Sequence, residues 1–188
     1  MFGGMNRLNG FTLVEMLVVV AVLGVLAAVA MPGVQGFFAA NRLSATTNDM
    51  VMGFQKARAE AISRSVDTCI VACRPGCGST GDQEWENGWL IGRVDPSSGV
   101  ALPGCDVAAG DVLQRQGTLP VAIDITVMDE NGVDVTNSVT SVALNAQGRL
   151  HGDALRFRVC IDEREDGRAI DIVRLGRASV VEGGATCP

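Results

Sequence analysis

The feature that most constrains this chain is an apolar run that begins at Phe11 and ends at Met31 and contains one charged residue, Glu15. At about 1.5 Å per helical residue, the run extends roughly 30 Å, which is the thickness of the hydrocarbon core of a bilayer. A charged side chain at that depth costs about 2.5–3.5 kcal/mol, so Glu15 is expected to serve a function there. The sequence therefore predicts a membrane-spanning helix over 11–31.

Two ordinary explanations of this run fit less well. A secretory signal peptide has an apolar core of about 7–15 residues and is cleaved after it, so cleavage near Ala30 is a minor alternative. A plain single-pass anchor explains the length but leaves both Glu15 and the Gly10–Phe11 junction unexplained.

Arg7 is the only charged residue before the run. Because positive charge favours the cytoplasmic side, the residues after Met31 are expected outside the cytoplasm.

Size and charge limit what the rest of the chain can be. The chain has 188 residues, which leaves room for one small domain after the N-terminal helix and not for two. The formal net charge of −6 argues against a general nucleic-acid binder, which usually carries a basic surface. Six cysteines agree with an oxidising compartment.

Beyond Pro32 the apolar residues recur at steps of three and four, which predicts that the helix continues to about Arg64. A bend or local melting is expected near Pro32 and Gly33. The predicted buried stripe consists of Leu43, Thr47, Met50, Phe54, Ala57, Ala61 and Ile62.

From Val66 onward, short β-rich segments alternate with turn residues, and no helical pattern separates them. The predicted fold class is α+β: a long N-terminal helix, with a membrane half and an amphipathic half, packed on a meandering antiparallel β domain stapled by disulfides. The predicted strands are Thr68–Ala72, Trp89–Val94, Ala122–Met128, Ser138–Leu144, Leu155–Ile161 and Ile170–Leu175.

The segment Gly10-Phe11-Thr12-Leu13-Val14-Glu15 resembles the class III signal of type IV prepilins and of the related pseudopilins of type II secretion. The resemblance implies that a prepilin peptidase cuts between Gly10 and Phe11 and methylates the new N-terminal Phe11. It also implies that Glu15 helps to dock the subunit into a filament and that Pro32 loosens the first helix. A start at Met1 or at Met5 leaves the cleavage junction unchanged.

Four further segments resemble, in the right order, the minor-pilin and H-pseudopilin group called FimT/FimU and GspH. They are Lys56–Ile62, Asn87–Ile91, Asn145–Arg149 and Gly176-Arg177. The resemblance implies a minor pilin-like subunit of a type IV pilus that primes or caps the filament tip, with an H-type pseudopilin of type II secretion as the alternative. A major pilin is less favoured, because major pilins usually lack this set.

The same resemblance implies a domain plan and a location. Residues 1–10 form the leader peptide, 11–31 the transmembrane or filament-core helix, 32–64 its amphipathic second half, and 65–188 the periplasmic β-rich domain. The expected location is the bacterial inner membrane, single pass through Phe11–Met31, before assembly into a pilus or pseudopilus. The expected partners are the prepilin peptidase and other major and minor pilins or pseudopilins.

The six cysteines allow fifteen pairings, and the residues alone do not choose among them. Resemblance to the group implies the pairs Cys160–Cys187 and Cys73–Cys77, which leaves Cys69 to pair with Cys105. A metal site is a rival interpretation because Cys69, Cys73 and Cys77 are evenly spaced. Zinc sites more often combine two separated ligand pairs, and the single histidine, His151, is a poor complement.

Enzyme chemistry finds no support in the sequence. The chain has one histidine and no tyrosine, and it contains no nucleophile elbow, phosphate loop or zinc-protease helix. His151 is expected to be a surface turn residue, and the acidic segment 162–166 a solvated hairpin tip. No enzyme activity, cofactor or metal is therefore predicted.

DNA binding for uptake during natural transformation is the alternative from a different functional class. Some pilins of similar sequence use a Gly-Arg-x-Arg segment near the C-terminus, and the corresponding residues here are Gly176-Arg177-Ala178-Ser179, without the second arginine. The candidate DNA contacts are Arg149, Arg156, Arg168, Arg174 and Arg177. The competing expectation is that these arginines pair with nearby carboxylates, namely Asp153, Asp162, Asp171 and Glu182.

Overall fold

The computed structural model describes residues 11–77, 82–94, 105, 107–120, 122–161 and 166–187, without the side chains of 30–35, 108–110, 166 and 182–184. The chain divides into two compact units between Phe38 and Ala39. Its elements, in order, are α1 Leu13–Arg64, β1 Thr68–Cys73, a short 3-10 turn Pro75–Cys77, β2 Glu84–Val94, β3 Val107–Gln116, β4 Ile123–Met128, β5 Ser141–Leu144, β6 Leu155–Ile161, β7 Asp166–Ile172 and β8 Ala178–Thr186.

The first helix, α1, is assigned without interruption from Leu13 to Arg64. The local melting predicted near Pro32 and Gly33 is therefore not found. Among the described residues, no helix combines the length and the apolar character needed to cross a membrane.

Within the described residues, eight strands form two antiparallel sheets rather than the single meander predicted from the sequence. The strand order is β3-β2-β1-β5 in the first sheet and β4-β6-β7-β8 in the second. Both β3 and β8 were missed by the strand pattern. Their sequences contain Gly110 and the pair Gly183-Gly184 and lack a clean apolar alternation, so pairing with β2 and β7 overrides weak local propensity.

The second half of α1 buries its apolar stripe in a core shared with both sheets. Of the stripe predicted from the sequence, every member except Ile62 is buried, and Ile62 is 49% exposed. Phe157 on β6 lies at the centre of the core and packs edge-on against Phe54 of α1 and Trp85 of β2. The predicted class, a long helix on an antiparallel β domain, is confirmed.

Three disulfides staple the second unit. They join Cys69 to Cys105, Cys73 to Cys77, and Cys160 to Cys187, with Cα–Cα distances of 6.1, 4.7 and 5.8 Å. These are the same pairs that the resemblance to the minor-pilin group implied. All six cysteines are bonded, so none is left to ligate a metal ion.

Candidate functional site

Thr12 caps the start of α1. Its hydroxyl oxygen accepts a hydrogen bond from the Glu15 backbone N–H at 3.2 Å, and its carbonyl accepts one from the Met16 N–H at 3.2 Å. A Thr followed three residues later by Glu is a capping-box sequence, a signal that the sequence analysis overlooked. Glu15 also lies in the first helical turn, where negative charge is favoured by the helix dipole. Gly10, on the other side of the cleavage junction, lies outside the described residues.

The N-terminal half of α1 presents apolar side chains all round. Every residue from 11 to 29 is exposed, and Phe11, Leu13 and Val29 are each at least 75% exposed. A helix that is apolar on every face is suited to an apolar environment rather than to water. The side chain of Pro32, the other residue with a predicted assembly role, lies outside the described residues.

Three of the four group-specific segments meet at one place, which we call the glycine junction and define by Arg58, Gly148 and Gly176. The Arg58 Nε donates to the Gly148 carbonyl at 3.1 Å. A Cβ at Gly148 would press on the side chains of Ile62 and Arg58, and a Cβ at Gly176 would collide with the Gly148 carbonyl oxygen. The junction therefore explains structurally why both turns carry glycine.

Replacing Gly176 with Ala is expected to destabilise the domain by about 2 kcal/mol or more, because its φ of 71° strains any L-residue and the added methyl has no room. Urea denaturation of wild type and variant measures the loss. The control is Gly132→Ala, which has a φ of 77° but no atom within 4 Å of an added Cβ, and which should cost clearly less. Equal losses for the two variants would mean that close packing at the junction adds nothing.

Two of the candidate DNA-binding arginines are held by carboxylates. Arg174 donates to Asp153 at 2.7 Å and to Glu130 at 3.2 Å. Arg156 donates to both oxygens of Asp171, at 2.6 and 2.8 Å, and this pairing raises the pKa of the guanidinium. The expected pairing with carboxylates is therefore found for these two, whereas Asp162 and the Glu182 side chain lie outside the described residues.

The other two arginines of the C-terminal turns remain exposed. Arg149 follows Gly148 in one turn and Arg177 follows Gly176 in the next, and the Leu150 N–H donates to the Arg174 carbonyl at 3.0 Å between these turns. No ion pair of Arg149 or Arg177 is found within the described part of the chain. The turns thus bring two unpaired cations to one surface, while Arg168 is half-buried on β7.

An open groove of about 430 Å³ collects carboxylates at another part of the domain. We call it the acidic groove and define it by Glu84, Glu86, Asp124 and Asp134, which line it. Glu86 accepts a hydrogen bond from the Ile125 N–H at 2.7 Å and so provides a partner for this backbone donor of β4. Burial raises the pKa of the Glu86 carboxyl, and the nearby Asp124 and Glu84 act in the same direction.

The structure predicts opposite outcomes for two substitutions of Glu86. Glu86→Gln keeps an acceptor for the Ile125 N–H and removes the buried charge, so stability at pH 7 should be equal or higher. Glu86→Ala should cost about 1–3 kcal/mol by leaving that N–H unpaired. Because the folded pKa is raised, the wild-type carboxyl favours folding most below about 4.5 and loses that contribution as the pH rises through the folded pKa. Thermal unfolding between pH 3.5 and 7 tests this, and an equally steep profile for Glu86→Gln would contradict it.

The described residues offer no metal site: no group of three or more His, Cys, Asp or Glu side chains lies close enough to hold an ion. The half-buried His151 lies 3.6 Å from Asp67 as part of the turn after β5, beyond ordinary hydrogen-bond reach.

Comparison with known families divides the chain into the same two parts. The family described as "Type II transport protein GspH" matches residues 46–176, and the "Prokaryotic N-terminal methylation motif" matches residues 5–31. The GspH match covers most of the second unit. The methylation-motif match covers the Gly10–Phe11 cleavage junction and the apolar run.

Known proteins and solved structures point in the same direction. The chain is 28% identical over 150 residues to a type IV major fimbrial protein FimA of Dichelobacter nodosus, covering 79% of each chain. In fold it is similar to the type IV minor pilin FimU of Pseudomonas aeruginosa, with a TM-score of 0.54, 22% identity, and coverage of 80% of this chain and 96% of that one. It is also similar to the minor pseudopilin EpsH of the Vibrio cholerae type II secretion system, with a TM-score of 0.55, 10% identity, and coverage of 78% and 98%.

Proposed function

Because the chain belongs to the GspH family of type II transport proteins, we propose that it is a minor pilin-like subunit that primes or caps the tip of a type IV pilus. Pilins and pseudopilins of this kind are processed at the N-terminal methylation motif and assemble with other subunits in the cell envelope. The observation that carries the proposal is the combination of that motif with a GspH-type domain on one helix.

A minor subunit is favoured over a major one even though the similar fimbrial proteins include major fimbrial subunits. The GspH profile covers the globular domain, and the glycine junction is built from three segments of that group. An H-type pseudopilin of type II secretion is the second candidate, supported by the structural similarity to EpsH. The filament from which the processed chain is recovered, a sheared pilus or a pseudopilus, distinguishes the two.

The N-terminal segment supplies the chemistry of assembly in this proposal. The exposed apolar surface of 11–29 holds the subunit in the inner membrane before assembly and packs among neighbouring helices afterwards. Cleavage creates an amine on Phe11, and Glu15 of an adjacent subunit neutralises it in the apolar interior. An unpaired charge there would be expensive, so the pair selects correctly docked subunits.

The charges of the described residues favour the assembly role over DNA uptake. Arg174 and Arg156 are already held by carboxylates, and Ser179 stands where similar DNA-binding pilins carry a second arginine. A protein that binds the DNA backbone gains affinity from each free Lys or Arg that displaces counterions. Two exposed arginines on a chain with a net charge of −6 provide little of this.

Processing tests the proposal directly. When the chain is co-expressed with a prepilin peptidase, mass spectrometry of the membrane-extracted protein should find cleavage between Gly10 and Phe11 and one methyl group on Phe11. Gly10→Val should abolish cleavage because the junction loses its small residue, whereas Gly4→Val in the same segment should be processed normally. An intact wild-type N-terminus, or cleavage near Ala30, would refute the proposal.

A further inference from the structure

Two exposed apolar side chains lie beside the unpaired arginines at the glycine junction. Leu175 is 61% exposed and Ile62, which the helical pattern predicts to be buried, is 49% exposed. We call this surface the basic turn patch and define it by Arg58, Ile62, Arg149, Leu175 and Arg177. Its position follows from the junction, since Ile62 lies over Gly148 and Leu175 precedes Gly176.

Two carboxylates on segments next to the basic turn patch already have other partners. Asp67 accepts a hydrogen bond from the Ala146 N–H at 2.9 Å, and Asp153 binds Arg174. The patch therefore carries positive charge together with exposed apolar area. Arginine is enriched at protein–protein interfaces, and exposed apolar area rimmed by polar residues marks an interaction site.

The acidic groove lies at the opposite end of the first sheet. Thr68 pairs with Arg93 and with Leu144, so the turn that carries Arg149 follows this end of the sheet. Glu84 pairs with Cys73 at the other end of the same strands. Five residue steps of β1 separate Thr68 from Cys73, which corresponds to about 17 Å of extended strand. One domain thus presents basic turns at one end and an acidic groove at the other.

We propose that the basic turn patch of one copy of this chain docks into the acidic groove of a second copy. Opposite charges at opposite ends favour a head-to-tail contact between two copies, in which the two surfaces that meet are different. Three arginines would face four carboxylates, of which Glu84 and Asp124 are exposed and have no ion pair among the described residues. The proposal rests on the assembly role proposed above, because that role brings subunits together in the membrane.

Photocrosslinking in the full-length chain tests the contact. Leu175 is replaced by p-benzoylphenylalanine in one copy, and a second copy that carries an affinity tag is co-expressed. Crosslinks between copies are recognised as tagged dimers and mapped by peptide mass spectrometry. Crosslinks should join position 175 to peptides within 82–94 or 122–137 of the other copy. The matched control places the same probe at Met52, which is 56% exposed but lies outside the patch, and it should give no crosslink to those peptides.

Reciprocal charge reversal makes the test specific. Arg149→Glu with Arg177→Glu in one copy, or Glu84→Lys with Asp124→Lys in the other, should each lower the crosslink yield about fivefold or more. Combining the two variants should restore the crosslink between the unlike copies only. All four residues are exposed, and correct disulfide pairing of each variant establishes that it folds.

Three results would overturn the contact: no crosslink between position 175 and the groove, no restoration in the combined variants, or a crosslink from position 175 to nucleic acid or to another protein instead. Filament incorporation is scored in the same cells. Normal incorporation without the crosslink refutes this docking contact alone, whereas loss of processing and incorporation in the wild-type chain refutes the assembly role as well.

Discussion

Glu15→Ala should leave the chain in the membrane fraction while its incorporation into sheared filaments falls about tenfold or more. The reason is that the Phe11 amine of a neighbouring subunit would lose its counter-charge in an apolar interior, where removing one partner of a buried pair costs about 3–5 kcal/mol. Membrane insertion should be unchanged or slightly improved, because the variant removes a charge from the apolar run. Immunoblotting of membrane and filament fractions measures both quantities.

Glu15→Gln separates the docking role from the capping role. Glutamine is also acceptable at the third position of a capping box, so this variant preserves the start of the helix but not the charge. If charge pairing governs assembly, Glu15→Gln should fail like Glu15→Ala. Thr12→Ala removes the cap hydroxyl seen beside Glu15 and should cost about 1 kcal/mol of helix stability with little loss of incorporation. Wild-type incorporation of Glu15→Gln would show that the charge is not needed.

Phe157→Ala should reduce the free energy of unfolding by about 3–5 kcal/mol, the usual cost of truncating a buried aromatic residue. Phe157 is fully buried, and its ring centroid lies 5.5 Å from that of Phe54 and 4.9 Å from that of Trp85. The substitution therefore opens a cavity where the helix and the two sheets meet. Urea denaturation with the disulfides intact gives the difference.

The control for this cavity is Phe157→Leu, which keeps most of the volume and should cost clearly less than alanine. Val133→Ala provides a surface reference, since Val133 is 57% exposed and should change stability by less than about 0.5 kcal/mol. A loss for Phe157→Ala no larger than for Val133→Ala would mean that the aromatic contacts contribute nothing to stability.

The local patterns of the chain predicted the helix and most strands but not how the strands assemble. The stripe from Leu43 to Ala61 fixed the buried face of α1, because helical spacing depends only on neighbours along the chain. The division into two sheets depends on pairings such as β1 with β5, which are about seventy residues apart and leave no local signal. Ile62 shows the same limit: its spacing fits the stripe, yet it is 49% exposed and lies against the distant turn at Gly148.

The candidate site was predictable in its parts rather than in its geometry. The motif around Gly10, Phe11 and Glu15 could be identified from the sequence, and its match to the N-terminal methylation motif agrees with this. That the turns at Gly148 and Gly176 contact each other could not be read from the sequence, because a glycine in a turn looks the same whether or not another backbone approaches it. The acidic groove was missed for a similar reason: its carboxylates come from three separate segments.

The last turns of α1 are attached to the domain through bonds that involve the backbone or charged groups. Thr68 donates its hydroxyl to the Ala57 carbonyl at 3.1 Å, Arg58 donates to the Gly148 carbonyl, and Arg93 donates to Glu60 at 3.0 Å. A force that pulls along the helix axis would act on these three attachments at the same time. No single hydrogen bond would then carry the whole force. The stretch around Leu43 and Met50 is held by apolar contacts instead. Mechanical force would thus enter the domain through the end of the helix.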